Sequence, residues 1–204
     1  MIATENSGGR GRPRSFDVET AVDKAMKLFH SRGYDAVGVA ELAEELGIKP
    51  PSFYAAFGSK LGLLERALER YGNSDANVFR TALAEGGSVA EIMQRTLENA
   101  AGIYPERDGV AGCLVHDGTR NSADPEVRAL GVTARHAARD SMRDLIATEY
   151  PDKAEELADL IIIATAGMSA AARDGADRAR LMRFAENPVH GARYPEHLQR
   201  LVGR

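Results

Sequence analysis

The run Lys49-Pro50-Pro51-Ser52-Phe53-Tyr54-Ala55, followed by Ser59-Lys60, places a small set of contact groups within a dozen positions. A hydroxyl such as that of Ser52 donates to or accepts from base edges. Proline rings and the Ala55 methyl touch thymine methyls, and Lys49 reaches a base or a phosphate. Tyr54 and Lys60 suit phosphate oxygens, contacts that fix register without reading sequence. Upstream, Arg10, Arg12 and Arg14 alternate with Gly9, Gly11 and Pro13. Such an arm enters a minor groove, and its plain alternative is a solubilising tail. A third group is Gly112-Cys113-Leu114-Val115-His116-Asp117. On a helix, His116 or Asp117 and then Arg120 share a side with Cys113, and a helix N-terminus with nearby cations lowers a thiol pKa. The two readings are a reactive thiol and a small buried hydrophobe. Cys113 with His116 is also a fragment of a metal site. His136, His190 and His197 stand in unrelated contexts, so neither metal nor other cofactor is expected.

Composition narrows the setting for these groups. The 204 residues are 44% hydrophobic and 27% charged, with a net charge of -4 and a single cysteine. One cysteine excludes a disulfide-stapled secreted scaffold and points to a reducing cytoplasm. The net charge excludes a protein that coats nucleic acid over its whole surface, so any DNA contact is local. Within the first 60 residues, Glu5, Asp17, Glu19, Asp23, Asp35, Glu41, Glu44 and Glu45 balance the lysines and arginines. The longest apolar run, residues 160–168, is about half a membrane span and reads as a buried helix. Residues 1–11 lack the apolar core of a signal peptide.

Apolar residues recur at spacings of three and four, and alternating β-branched runs are nearly absent, which predicts an all-α chain. A first helix follows Asp17 with Val18, Ala21, Val22, Ala25, Met26, Leu28 and Phe29 on one stripe, and Gly33 stops it. Two short helices, 39–46 and 50–57, are joined by a turn at Gly47. Ser59 caps a fourth helix predicted to reach about Leu83. Gly86-Gly87 breaks the pattern, and Ser88 with Glu91 forms a capping box that opens a fifth. Further helices are predicted over 111–120, from Asp124-Pro125 to about Tyr150, from about Asp152 to Gly175, and over 177–185. Residues 195–202 form a possible short helix of undefined packing.

Two short helices joined by a tight glycine turn are the mark of a helix-turn-helix, whose second helix enters the major groove. Gly33-Tyr34, Glu41-Leu42-Ala43, Leu46-Gly47-Ile48, Ser52-Phe53-Tyr54, Phe57, Ser59-Lys60 and Leu63-Leu64 together resemble the TetR family of bacterial transcriptional repressors. The likeness spans about Phe16 to Leu68 and includes spacing as well as residue type. It implies base readout from residues 49–55 and phosphate contacts from Tyr54 and Lys60. Many relatives carry Thr or Ser where this chain has Val37 and Gly38. The capping hydroxyl is missing here, and the amides of Gly38 and Val39 are left to face an anion.

The resemblance also implies an organisation: residues 1–15 a flexible basic arm, 16–60 an N-terminal three-helix DNA-binding module, and 61–204 a larger helical domain for effector binding and dimerisation. Phe79, Leu83, Ile92, Leu97, Tyr104, Cys113, His116 and Met142 are candidate effector contacts, although such residues are more often core. The last long helices are candidates for a homodimer interface, with Ala164, Gly167, Ala170 and Ala171 small enough for close approach. The expected protein is thus a dimeric repressor of a near-palindromic, double-stranded operator, released by a small molecule. In a thiol-sensing variant of this reading, Cys113 reacts with electrophiles or oxidants. An enzyme built on Cys113 and His116 would need an orienting acid and an oxyanion donor, which the sequence does not display. A purely structural helical dimer would leave Ser52-Phe53-Tyr54 and Ser59-Lys60 without a role.

Overall fold

A computed structural model describes residues 17–106 and 109–187 of the chain. The basic arm with Arg12 and Arg14, and the segment predicted over 195–202, lie outside the described residues. All repeating secondary structure among the described residues is helical. The first helix, α1 (Val18–Arg32), begins where the Asp17 carboxylate accepts from the amides of Glu19 and Thr20. It ends where the Gly33 amide donates to the Phe29 carbonyl. Two short helices follow, α2 (Val39–Glu45) and α3 (Pro50–Phe57). Gly47 between them sits at φ +67°, a left-handed conformation that side chains resist. Phe29, Val37, Leu42 and Phe53 are fully buried, so the three helices share one small apolar centre.

The fourth helix is shorter than its hydrophobic pattern predicts. α4 (Lys60–Gly72) is capped by Ser59, whose Oγ accepts from the Gly62 amide. It stops at Asn73, and a separate helix, α5 (Val78–Ala84), begins after Asn77. The reason is local. The Asn77 side chain donates to the Gly72 carbonyl (2.8 Å) and accepts from the Arg80 amide (3.1 Å), closing one helix end and capping the next. α6 (Val89–Ile103) opens with the predicted capping box of Ser88 and Glu91.

A second difference falls on the Cys113 segment. In place of ten helical residues there is a single turn, α7 (Leu114–Asp117), with Cys113 at its N-cap position. Gly112 lies at φ +80°, and a Cβ there would stand 2.7 Å from Ser169 Oγ. The Cys113 amide donates to that same Ser169 hydroxyl (2.7 Å) instead of to a helical carbonyl. Beyond it, α8 (Pro125–Ala147) starts at Asp124-Pro125 as predicted. A 3-10 turn (Pro151–Lys153) leads into α9 (Ala154–Arg173), and α10 (Arg178–Ala185) follows the Asp177 cap. One continuous apolar cluster runs from Ala21 to Ala185, packing α1 on α4, α5 on α6, α8 on α9 and α10 on α6. Among the described residues no helix is long and apolar enough to cross a membrane.

Candidate nucleic-acid interface and ligand cavity

On α3, Phe53 and Phe57 are four positions apart and turn inward, with ring centroids 5.4 Å apart. That rotation leaves Lys49, Pro50, Pro51, Ser52, Tyr54 and Ala55 exposed, Tyr54 with half of its surface free. The residues read from the sequence as base and phosphate contacts thus form one outward face. Gly38 is the N-cap of α2 and supplies no side-chain bond, so the hydroxyl noted as missing is replaced by nothing; Gly38 is exposed and Val39 half-buried.

Lys60 is placed differently from a freely projecting cation. Its Nζ stands 3.8 Å from the centroid of the Tyr34 ring, which itself stacks on Phe29. Burial pushes the Lys60 ammonium down, while Asp35 and Asp124 pull it back up. Two of the three acids of α2 are engaged: Glu41 pairs with Arg32, and Glu45 takes Lys24 through its backbone carbonyl (2.9 Å) and its carboxylate (3.5 Å). Pairing of this kind removes negative charge beside α3 and so reduces repulsion toward a polyanion.

A cavity of about 440 Å³ lies among α4, α5, α6, α7, α8 and α9. Of the residues singled out in the sequence, Phe79, Leu83, Tyr104, Cys113, His116 and Met142 line it. Ile92 and Leu97 are buried but stand outside the lining. On α6 it is Thr96 that reaches the cavity; Leu97, one position on, is rotated by about 100°. Sequence reasoning passed over Tyr71, Thr96 and Thr165, which also line it. Each sits within an apolar helical stripe, so nothing in its own neighbourhood marks it as part of a site.

Burial works against activation of the Cys113 thiol. Burial pushes its pKa up, against the opposing pull of the Tyr71 hydroxyl and of backbone amides at the start of α7. A one-turn helix and full burial outweigh the helix-terminus effect expected from the sequence. His116 is lowered to about 4, first by burial and then by Arg120 and Arg135 against Asp117, and is therefore neutral near pH 7. Among the described residues no three His, Cys, Asp or Glu side chains gather where they could hold a metal ion.

The segment from Gly112 to Ala123 touches both the cavity and the three-helix region. On the cavity side it contributes Cys113, Val115 and His116. Toward α1, His30 Nε2 donates to the Gly112 carbonyl (3.1 Å), and the Tyr34 amide donates to the Gly118 carbonyl (3.3 Å). Asp35 accepts from the Ser122 hydroxyl (2.5 Å) and the Ala123 amide (2.6 Å), which holds its carboxyl below the usual range. Asp117 accepts from Ser169 Oγ (2.5 Å) and from Arg173 Nε (3.0 Å), and Arg173 Nη2 reaches the His30 carbonyl (3.0 Å). Tyr71 adds a further link: it lines the cavity while its ring packs edge-on against His30, centroids 5.6 Å apart.

On the outer side of α9, Leu160, Ile163, Ala164, Gly167 and Ala171 form an apolar groove with Leu181 and Phe184 of α10. Ile163 is 70% exposed, an unusual state for a large aliphatic side chain in the middle of a helix.

Residues 21–67 match the family model described as bacterial regulatory proteins, tetR family. The chain is 41% identical over 175 residues to the HTH-type transcriptional repressor BdcR of Escherichia coli (strain K12), covering 86% of this chain and 88% of that protein. It is 33% identical over 186 residues to the HTH-type transcriptional repressor ComR of the same organism, covering 86% and 89%. A solved structure of a cysteine mutant of the TetR family transcriptional regulator CifR, complexed with 26 bp double-strand operator DNA, superposes with a TM-score of 0.74 at 34% identity. That match covers 86% of this chain and 96% of the other.

Proposed function

The chain belongs to the TetR family of bacterial regulatory proteins, and from that premise we propose that it is a ligand-responsive repressor of transcription that binds a palindromic operator as a homodimer. The observation that carries the reading is the exposed α3 face from Lys49 to Ala55, held outward by buried Phe53 and Phe57. Residues 16–60 act as the reading module and 61–204 as the effector and dimerisation domain. Ser52, Pro50, Pro51 and Ala55 meet base edges, Lys49 a base or phosphate, and Tyr54 and Lys60 phosphates. The amides of Gly38 and Val39 face a phosphate, and Arg12 and Arg14 enter the adjacent minor groove. The apolar groove on α9 and α10 pairs with its copy in a second subunit, which places two recognition helices one DNA turn apart, roughly 34–36 Å. The protein works in the cytoplasm and catalyses no reaction.

Release follows from differential affinity, because a ligand that binds both subunit arrangements equally shifts nothing. The Gly112–Ala123 segment is suited to transmit the difference, since a molecule pressing on Cys113, Val115 or His116 acts on the chain that holds His30, Tyr34 and Asp35. The test is a salt-titrated selection against a random DNA library. Enrichment of a two-fold symmetric site supports the proposal; a folded, dimeric protein that enriches nothing rejects it.

A further inference from the structure

Two side chains that line the cavity each carry a buried polar atom without a hydrogen-bond partner: the Tyr71 hydroxyl and His116 Nδ1. Both side chains are deeply buried, Tyr71 at 3% and His116 at 6% exposure. The Tyr71 hydroxyl lies near enough to Cys113 and to the Leu114 backbone for both to affect its ionisation, yet it makes no well-formed bond to either. Leaving a buried polar group unmatched costs about 1–3 kcal/mol, so such atoms are sparse in native interiors and demand a reason.

The roles of the two atoms can be assigned. Thr165 Oγ1 has one proton, and the Ile161 carbonyl one helical turn back takes it at 2.9 Å. Toward His116 Nε2, at 3.3 Å, the same oxygen must then accept. The imidazole proton therefore sits on Nε2, and Nδ1 is a bare acceptor. Burial keeps that ring neutral and keeps the Tyr71 phenol protonated, a donor. The surrounding wall is mostly apolar, with Phe79, Leu83 and Met142 in it. Arg80 is the one charged side chain among the described lining residues, and it is exposed to solvent. Deeper, near His116, the Asp117 carboxylate and the Arg120 and Arg135 guanidiniums already oppose one another, and an added ionised group would lose its hydration there.

Building on the repressor reading, we propose that the cavity binds an uncharged, largely apolar alcohol or phenol that donates to His116 Nδ1 and offers an oxygen to the Tyr71 hydroxyl. A hydroxyl is the smallest group that supplies both a donor and an acceptor. A molecule of this kind satisfies both orphaned atoms and fills the apolar remainder of the volume.

The test uses a matched series on the full-length protein without DNA: 4-hexylphenol, its methyl ether 4-hexylanisole, hexylbenzene and 4-hexylbenzoate, each titrated by calorimetry. The phenol is expected to bind about tenfold more tightly than the ether, which cannot donate, and the ether more tightly than the hydrocarbon. His116→Phe should erase the first preference and Tyr71→Phe the second. Because either variant can disturb packing, the wild-type protein labelled with 15N-histidine gives an independent reading: the His116 Nδ1 resonance moves on adding the phenol and stays on adding the ether. Equal affinities across the series, no binding of the phenol, tightest binding of the benzoate, or an unmoved Nδ1 signal overturns the proposal. Since no DNA is present, a failure here leaves operator binding standing, and a failed operator selection leaves this result standing.

Discussion

His30 and His116 are both lowered to about 4 by burial, while the unfolded chain takes up a proton at the ordinary value of 6.5. Between those values the unfolded state binds more protons, so stability is complete above pH 6.5 and is lost as pH falls toward 4, on the order of 3 kcal/mol for each ring. Asp35 and Asp159 are themselves lowered, so their contributions persist to more acidic conditions. Urea unfolding at pH 7, 5.5 and 4.5 should show a falling midpoint that flattens in His30→Gln and His116→Gln; a flat wild-type profile would contradict the burial argument. At the other end of the molecule, Lys60→Ala should weaken binding to every DNA sequence and reduce the salt slope by about one unit, and Ser52→Ala should alter sequence preference. Binding isotherms at several salt concentrations separate these outcomes. Lys60 also shows where sequence reading ends. Its type and position at the start of α4 are legible, but its seat on the Tyr34 ring joins residues 26 positions apart and has no local signature. Cys113 makes the same point: its motif is compatible with a reactive thiol and with a small buried hydrophobe, and burial among distant elements pushes the thiol up.

Elements with strong boundary chemistry were legible to within a residue or two. Asp17, Ser59, Ser88 and Asp124 each cap the helix that the sequence assigns to them, since an N-cap oxygen bonds an amide only two or three positions away. Ser88→Ala should accordingly cost about 1 kcal/mol in thermal or urea unfolding, with operator affinity unchanged. The misread elements are those whose ends are set by remote partners or by an asparagine serving two helices. The start of α7 is set by Ser169, 56 positions from Cys113, and α4 is parted from α5 by Asn77. For α3 the two demands coincide: its inward rings hold the module together while its outward groups stay free for the base and phosphate contacts proposed for them. Phe53→Ala should therefore destabilise the protein by about 3–5 kcal/mol and abolish DNA binding through unfolding, visible as a lowered Tm. An unchanged Tm would mean that Phe53 is not the keystone of that core.

At the scale of the whole molecule, the coupling proposed between the cavity and the three-helix region is what no single segment reveals. Ile163→Glu, placed in the centre of the α9 groove, should yield a folded monomer by sedimentation and lose most operator affinity, because one recognition helix reads too few base pairs. Arg173→Gln removes the charge that ties Asp117 to the His30 carbonyl. Ligand and DNA should each still bind it, with the ligand's effect on operator affinity reduced toward none when both titrations are run together. The His30–Arg173 bond closes a loop of 143 positions. Synthesis proceeds from the N-terminus and domains tend to fold as they emerge. A nascent chain thus has its three-helix reader available well before α9 leaves the ribosome, and the latch joining reader to cavity is among the last contacts to form. The surface proposed to read DNA takes shape early in the birth of each molecule, and both its pairing with a second copy and its tie to the cavity come at the end.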